Sequence, residues 1–315
     1  MSLPQLKVLN FYGLSISGVE FSKTLLSSCP VLKTLCIEEC VIPTDNRMNL
    51  IVDSLSLRLF EYTCCRTQLL PQNDTMADII KLNSPNLEYF TFKSLLTHDY
   101  SLEICSPLFE VFLSVSLKGL EESENADTYL ELSSTEKAVY AKRTLKYLGA
   151  VYMVTEMTLS PGFPEVLSQS PDLFVCEPPW LRNLHLLTMV IWCTRVCLRS
   201  IAYLLNISPN ITRLVLISEE EVNLADVGDD WEAGLSFPGV LSHLKSVQFE
   251  EVEGCDAELK LLSFLLKNAK VLQKVVVCFR SSSGSRVVRM RQVKQFEDKI
   301  RAVPTASSGI EMVFE

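Results

Sequence analysis

The sequence is poor in the residues from which many enzyme sites are built. It contains three histidines, and His98, His185 and His243 stand too far apart to form an H-x-x-x-H pair. Its eleven glycines form neither a P-loop nor a G-x-G-x-x-G turn, and a G-x-S-x-G elbow is also absent. These absences predict a protein that is not an enzyme and holds no cofactor. An enzyme with a dispersed site is the alternative.

Basic charge and long apolar runs are also scarce. The 29 Lys and Arg residues against 38 Asp and Glu give a formal net charge of −9, which disfavours nucleic acid as a partner because phosphate binding needs a basic surface. The most apolar segment, residues 184–205, is interrupted by Arg195 and Arg199, so no membrane helix is predicted. Residues 1–14 contain no continuous apolar stretch of the kind found in a secretory signal. The expected location is the cytoplasm and/or nucleus, away from membranes.

The cysteines raise the question of a metal or redox site, because Cys29, Cys36 and Cys40 lie close together in the sequence. Zinc sites favour short C-x2–4-C pairs that return as a second pair, and the spacing from Cys29 to Cys36 is longer than that. Eleven cysteines at irregular spacing favour a reducing compartment over a disulfide framework. We therefore expect cysteines that pack as small apolar residues and bind no metal. A native protein with few free thiols would instead favour a secreted repeat receptor.

The stretch that holds these cysteines matches a repeat. From Leu32 the chain reads LKTLCIEECVI, which fits the leucine-rich-repeat signature L-x-x-L-x-L-x-x-N/C-x-L if isoleucine is accepted for leucine. In this frame, positions 1, 4 and 6 point into the core, and positions 3, 5 and 7 lie on the exposed, concave face of a sheet. Nine further copies are predicted, starting at Leu6, Leu57, Leu87, Phe109, Val154, Leu181, Ile211, Leu244 and Leu272.

The segments between the copies are predicted to be helical. Residues 133–148 begin with a capping-box pattern, Ser133 to Glu136. Apolar residues share a helical face in three further groups: Phe21, Leu25 and Leu26; Met76, Ile79 and Ile80; and Ile201, Leu204 and Leu205. Alternating strands and helices predict an α/β fold, a right-handed solenoid with a curved parallel sheet and helices outside.

The C-terminal part departs from the simple repeat. A helix is predicted after Asp256 as N-cap, with Leu259, Leu262, Leu265 and Leu266 on its apolar face. A second helix over residues 289–303 and a closing strand at the end of the chain follow; their apolar residues are Met290, Val293, Phe296, Ile300 and Val303 in the helix, and Ile310, Met312 and Phe314 in the strand. We predict two domains, a solenoid over residues 1–235 and a C-terminal α/β cap over residues 236–315.

This C-terminal part resembles the FBD domain of plant F-box/leucine-rich-repeat proteins. The resemblance rests on LKSVQFEEVEG (244–254), ELKLLSFLLKNAKVLQKVVV (258–277) and AVPTASSGIEMVF (302–314). The upstream copies are similar to the same family, notably in LPQLKVLNFYGLSI (3–16) and LLSSCPVLKTLCI (25–37). The similarity covers essentially the whole chain.

Membership of that family implies a non-catalytic protein-binding module. Its full-length members begin with an F-box, which binds the Skp-type adaptor of a cullin ubiquitin ligase, while the repeats recruit the protein to be ubiquitinated. Because Met1 already lies within a repeat, we expect a chain without its F-box, whether a fragment or a natural form. A Skp-type adaptor and cullin are then partners only if an F-box exists upstream. A decoy protein unconnected to ubiquitination is the alternative.

The contact surface is predicted on the concave face of the sheet. There the repeat frame leaves polar or aromatic side chains exposed, and these suit contacts with a protein substrate or ligand. The predicted contact residues are Asn10, Tyr12, Thr34, Glu38, Tyr89, Lys93, Asn183, His185 and Arg213. The basic segment 280–301 is predicted to be a solvated loop and helix face; docking to an acidic partner, including the chain's own acidic residues, is the alternative.

Overall fold

The computed structural model describes residues 3–15, 26–40, 43–44, 47–65, 78–119, 124–170, 173, 180–192, 194–219, 241–280 and 286–315. The chain divides into two compact units. Unit 1 comprises Met1–Glu124 and Thr128–Met157, and unit 2 comprises Asn125–Asp127 and Thr158–Glu315. The domain boundary predicted at residue 235 falls within residues 220–240, outside the described residues, and stays a prediction.

The described residues form an α/β structure rich in short strands. The strands are β1 (Val8–Tyr12), β2 (Thr34–Glu38), β3 (Pro43–Thr44), β4 (Arg47–Asp53), β5 (Leu59–Cys64), β6 (Asp78–Asn83), β7 (Tyr89–Leu95), β8 (Tyr100–Ile104), β9 (Glu110–Ser116), β10 (Glu156–Leu159), β11 (Leu186–Ile191), β12 (Arg213–Ser218), β13 (Ser246–Val252), β14 (Lys274–Phe279) and β15 (Glu311–Phe314). The helices are α1 (Ala126–Leu130), α2 (Ser134–Ala150), α3 (Gly162–Ser168), α4 (Thr194–Ile207), α5 (Asp256–Asn268) and α6 (Arg286–Arg301).

In unit 1, strands β1, β2, β5, β7 and β9 form a parallel sheet in register. Because side chains alternate along a strand, every second residue faces the core. Two rows of side chains therefore stack across the strands: Leu9, Leu35, Phe60, Phe90 and Val111 at repeat position 4, and Phe11, Ile37, Tyr62, Phe92 and Leu113 at position 6. These rows confirm the predicted frame for the copies at Leu6, Leu32, Leu57 and Leu87.

The outer layer of unit 1 is partly a second sheet, which the sequence reading missed. Strands β4, β6 and β8 are parallel, and β3 pairs antiparallel with β4. The helix predicted around Ile79 and Ile80 is therefore wrong, since both residues lie in β6, while Met76 lies outside the described residues. The physical reason is visible in β6, where buried Asp78, Ile80 and Leu82 alternate with half-buried neighbours. This period of two belongs to a strand.

Aromatic side chains fill the space between the two sheets of unit 1. Tyr62 and Tyr100 are fully buried, with their hydroxyl oxygens 3.3 Å apart, and burial raises the pKa of both well above the usual value. The Phe92 ring packs edge-on against Tyr100 and Tyr147, with centroids 5.4 and 5.1 Å away. Tyr147 belongs to α2, whose predicted capping box at Ser133 is confirmed. Core packing thus joins the repeat sheet, the second sheet and α2.

A recurrent turn precedes the strands and corrects two of the predicted frames. In it, the position 1 amide donates to the carbonyl three residues earlier, as from Leu32 to Cys29 at 3.1 Å and from Leu184 to Leu181 at 3.2 Å. The seventh copy therefore starts at Leu184 instead of Leu181, because Leu187 aligns with Leu214 across the strands. The copy assigned to Phe109 starts one residue earlier, since Val111 aligns with Phe90.

Unit 2 also contains a parallel repeat sheet, and here helices follow several of the strands. Strands β11 to β15 are parallel, and their core rows are Leu187, Leu214, Val247, Val275 and Met312, followed by Met189, Leu216, Phe249, Val277 and Phe314. Helix α4 buries Ile201, Leu204 and Leu205, as the sequence predicts. In the described part of the chain, no helix is both long and apolar enough to span a bilayer.

The C-terminal elements follow the prediction with three corrections. Helix α5 has Cys255 as its N-cap, so Asp256 is its first residue, and Leu261 is buried where Leu259 was predicted. In α6, Phe296 and Ile300 are buried as expected, whereas Met290 is 63% exposed. The closing strand β15 is confirmed.

Arg280, the first residue of the basic segment, pairs with the chain's own acidic residues, as the alternative interpretation of this segment expected. Its guanidinium contacts Glu251 at 3.5 Å and Glu253 at 3.4 Å, and donates to the Ser218 carbonyl at 2.7 Å. Only 15% of this side chain is exposed. Arg280 therefore ties the ends of β12 and β13 together through the chain's own acidic residues.

Candidate functional site

The candidate site is the side of the unit 1 repeat sheet that faces away from the core. We call it the ladder face and define it as the side chains at repeat positions 3, 5 and 7. Register places them in three rows: Val8, Thr34, Leu59, Tyr89 and Glu110; Asn10, Cys36, Glu61, Thr91 and Phe112; and Tyr12, Glu38, Thr63, Lys93 and Ser114. Neighbouring side chains in a row are about 4.8 Å apart, so a binding partner could contact several strands at once.

Six of the predicted contact residues lie together on this face. Tyr12 is 68% exposed and Tyr89 is 38% exposed, so both aromatic rings offer apolar area to a partner. The others are Asn10, Thr34, Glu38 and Lys93, all exposed or half-buried. A seventh predicted residue, Arg213, is exposed at position 3 of β12 in unit 2. Their role in binding stays a prediction.

Asn183 and His185 do not lie on a strand, which corrects their predicted position. Both are exposed but precede β11, because the repeat begins at Leu184. The His185 ring lies 3.2 Å from the carbonyl oxygen of Asn210 and therefore helps to hold the turn before β12. Two regularly spaced leucines, Leu181 and Leu184, produced the misplaced frame.

The sequence reading missed Cys36, Glu61 and Phe112 as contact residues; all three lie in the position 5 row, with Thr91 between Glu61 and Phe112. The repeat frame that starts at Leu57 places Glu61 at position 5, so the sequence alone was enough to predict it as a contact residue. Phe112 was assigned to the core because its copy was placed one residue late. The Lys93 ammonium lies 5.5 Å from the centre of the Phe112 ring, a cation–π distance that holds the lysine over the face.

The centre of the ladder face has a negative local potential. The pKa of the Cys36 thiol is raised to about 11, first by burial, then by the charge of Glu61 and a hydrogen bond to it, and finally by the charge of Glu38. Each of these effects penalises the thiolate. Cys36 is therefore an unreactive thiol beside two carboxylates, which suits recognition better than nucleophilic chemistry.

This arrangement predicts the reactivity of Cys36. Replacing Glu61 by glutamine should speed alkylation of Cys36 by iodoacetamide near pH 8 by about threefold or more, because a drop of half a pKa unit raises the thiolate fraction about threefold. The measurement is the rate of modification of the Cys36 peptide by mass spectrometry. Glu110→Gln is the control, because Glu110 lies on the same face but does not contribute to the raised pKa of Cys36. Equal rates in wild type and Glu61→Gln would contradict the assigned potential.

The other cysteines of the opening cluster have structural positions. Cys29 and Cys40 are 1% exposed, and the Cys40 thiol donates to the Glu38 carbonyl at 3.3 Å. Within the described ranges, no group of three or more His, Cys, Asp or Glu side chains is arranged to hold a metal ion.

The corresponding side of the unit 2 sheet is more apolar than the ladder face. Along positions 5 and 7, half-buried Val190, Val215, Ile217, Val276 and Val313 predominate. The polar exceptions include Thr188, Gln248 and Glu250; the last two are joined by a hydrogen bond of 2.8 Å. The exposed sides of the two sheets therefore differ in composition, polar and aromatic in unit 1 and largely aliphatic in unit 2.

Comparison with known proteins agrees with the fold. Residues 237–277 match the FBD family model. An FBD-associated F-box protein of Arabidopsis thaliana is 26% identical over 275 residues, covering 87% of this chain and 60% of the relative. An F-box/FBD/LRR-repeat protein of the same plant is 24% identical over 341 residues, covering 99% of the chain and 62% of the relative.

A third Arabidopsis relative, F-box/LRR-repeat protein 13, is 25% identical over 294 residues, covering 90% of this chain and 58% of the relative. The chain thus spans about three-fifths of the length of these relatives. Its FBD segment, its parallel repeat sheets and the similarity along most of its length make this chain similar to the F-box/FBD/leucine-rich-repeat proteins of Arabidopsis thaliana.

Proposed function

We propose that this chain is a non-catalytic protein-binding module whose contact surface is the ladder face. The observation that carries the proposal is the in-register array of exposed and half-buried polar and aromatic side chains in unit 1, which includes Tyr12, Glu38, Glu61 and Tyr89. Tyrosines supply large contact area with little conformational entropy to lose, and they are enriched where binding energy concentrates.

The proposal extends to ubiquitination. In the resembled family, the repeats recruit a protein for an SCF-type ubiquitin ligase, and a Skp-type adaptor and cullin join through an F-box. The relatives carry F-box in their names and are longer than this chain. Substrate recognition for such a ligase, in the cytoplasm and/or nucleus, is therefore the proposed role.

The binding role is tested by affinity capture from plant extract with wild type and with the double variant Tyr12→Ala, Glu61→Lys. We expect the variant to fold and to lose specific proteins that wild type retains, because both changes lie on the ladder face. The matched control is Tyr152→Ala, Glu131→Lys, which alters exposed residues elsewhere in unit 1. If the ladder-face variant and the control captured the same proteins as wild type, the proposed surface would be wrong.

The ligase role needs a separate measurement. The full-length product of the gene should copurify with a Skp-type adaptor and promote ubiquitination of a protein captured by this chain. A full-length product that binds the captured protein but no adaptor would favour the decoy alternative.

A further inference from the structure

A second row of exposed side chains in unit 1 lies beside the ladder face. It occupies repeat position 2, directly before each strand, and we call it the strand-start row. Its members are Lys7, Lys33, Arg58, Glu88 and Phe109. Regular backbone bonding sets the row: the Lys7 carbonyl accepts from Lys33 at 2.8 Å, and the Lys33 carbonyl accepts from Arg58 at 2.9 Å. Successive members are therefore about one strand spacing apart, near 4.8 Å.

The first half of this row carries positive charge that forms no ion pair with another described residue. Lys7 and Lys33 are exposed, and neither forms an ion pair within the part of the chain that the structure describes. Arg58, by contrast, pairs with Glu88. Two adjacent ammonium groups with no ion-pair partner among the described residues stand out on a chain whose formal net charge is −9.

Apolar side chains border the charged row on the same surface. Leu55 is 75% exposed, and its carbonyl accepts a hydrogen bond of 2.8 Å from Asn86, which helps to fix the turn that presents it. Phe109 is 45% exposed and packs edge-on against Tyr89, with ring centroids 5.9 Å apart. This contact joins the strand-start row to position 3 of the ladder face. Clustered exposed apolar groups with a polar border are typical of interaction sites.

We propose that the strand-start row of unit 1 docks an acidic peptide segment with apolar side chains, supplied by a partner protein. Carboxylates of the segment pair with Lys7 and Lys33, while its apolar side chains cover Leu55 and the Tyr89–Phe109 ring pair. Charge complementarity selects an acidic occupant, because the only carboxylate in the row, Glu88, already pairs with Arg58. The apolar border distinguishes a peptide from a nucleic acid, whose phosphates would gain nothing from Leu55.

This surface uses lysines that the proposed ladder-face contacts do not include, so the two proposals can fail separately. The probe is a fluorescein-labelled synthetic peptide of four Glu-Glu-Leu units, with fluorescence anisotropy as the readout. We expect binding at about 50 mM salt that weakens at about 500 mM, because the Debye length shortens from about 14 Å to about 4 Å. A peptide of four Lys-Lys-Leu units should not bind at the row.

Charge reversal identifies the row as the site. Lys7→Glu with Lys33→Glu should weaken binding of the acidic peptide at least about tenfold. Lys142→Glu with Lys270→Glu makes the same change in net charge at exposed residues outside the row and should leave the affinity within about twofold. Leu55→Ser should weaken binding in high salt as well as in low salt, since it removes apolar contact. Thermal unfolding establishes that each variant is folded.

Three results would overturn the proposal. One is absence of acidic-peptide binding by the folded wild type, and another is an equal loss of affinity in the two charge-reversal pairs. The third is tighter binding of a labelled oligothymidylate than of the peptide, which would assign the lysines to nucleic acid. A strand-start variant that loses the peptide but keeps the proteins captured through the ladder face supports this inference and leaves the proposed function untouched.

Discussion

Replacing Leu35 by aspartate is expected to abolish cooperative unfolding of unit 1. Leu35 is 2% exposed and stacks between Leu9 and Phe60 in the position 4 row of the core. A carboxylate there has no partner and must either stay charged in an apolar layer or take up a proton, and either costs several kcal/mol. That cost is comparable with the whole stability of a typical domain, about 5–15 kcal/mol. The measurement is urea unfolding followed by circular dichroism.

The adjacent residue provides a matched control. Thr34 lies on the ladder face and is half-buried, so Thr34→Asp adds the same group with access to water. It should cost no more than about 1 kcal/mol. Cys40→Asn should also keep the fold, because the repeat accepts asparagine at position 9. Similar losses for Leu35→Asp and Thr34→Asp would contradict the assignment of core and surface.

Replacing Glu258 by alanine should destabilise unit 2 by about 3 kcal/mol, because buried donors that lose their acceptor cost about 1–3 kcal/mol each and some here can reach water. Glu258 is 3% exposed, and its carboxylate accepts from the amides of Glu253 at 3.2 Å, Gly254 at 2.8 Å and Cys255 at 2.9 Å. The turn depends on Gly254, whose φ of +85° disfavours other residues. The readout is the free energy of unfolding.

The pH dependence of Glu258 supplies an independent check. Burial raises the pKa of its carboxyl above the usual 4.5, although the backbone amides oppose the rise. The folded chain then keeps this proton to a higher pH than the unfolded chain does, so ionisation of Glu258 reduces stability as pH rises above about 4.5. Wild type should lose stability relative to Glu258→Gln across this range. A difference that does not change with pH would contradict the assigned shift.

Much of the repeat architecture could be predicted from the sequence, because each strand needs apolar residues at fixed positions. Leu32, Leu35 and Ile37 placed one copy correctly, and the others followed where the pattern was clear. The frame at Leu181 failed because the turn before β11 has a leucine, Leu181, three positions before the true start of the repeat at Leu184. An L-x-x-L pattern therefore occurs twice in succession, and sequence alone does not say which pair begins the strand.

The second sheet of unit 1 could not be predicted for a different reason. Short apolar groups such as Ile79 and Ile80 fit a helix or a strand equally well, and only pairing with β4 and β8 decides between them. The candidate surface, too, could be predicted from the sequence only in part. Tyr12 and Glu38 followed from the repeat frame, whereas the negative potential around Cys36 also needs Glu61 of the neighbouring strand, which only the register brings beside Cys36.

The most direct test of the account is a hydroxyl-radical footprint of the chain with and without a protein captured through the ladder face. Tyr12, Phe112 and Tyr89 lie on that face, while Tyr152 and Met290 are exposed elsewhere. We predict that binding protects the first three side chains and leaves oxidation of Tyr152 and Met290 unchanged. Unchanged oxidation of Tyr12 and Phe112, with protection of Tyr152 or Met290, would contradict the ladder face as the recognition surface.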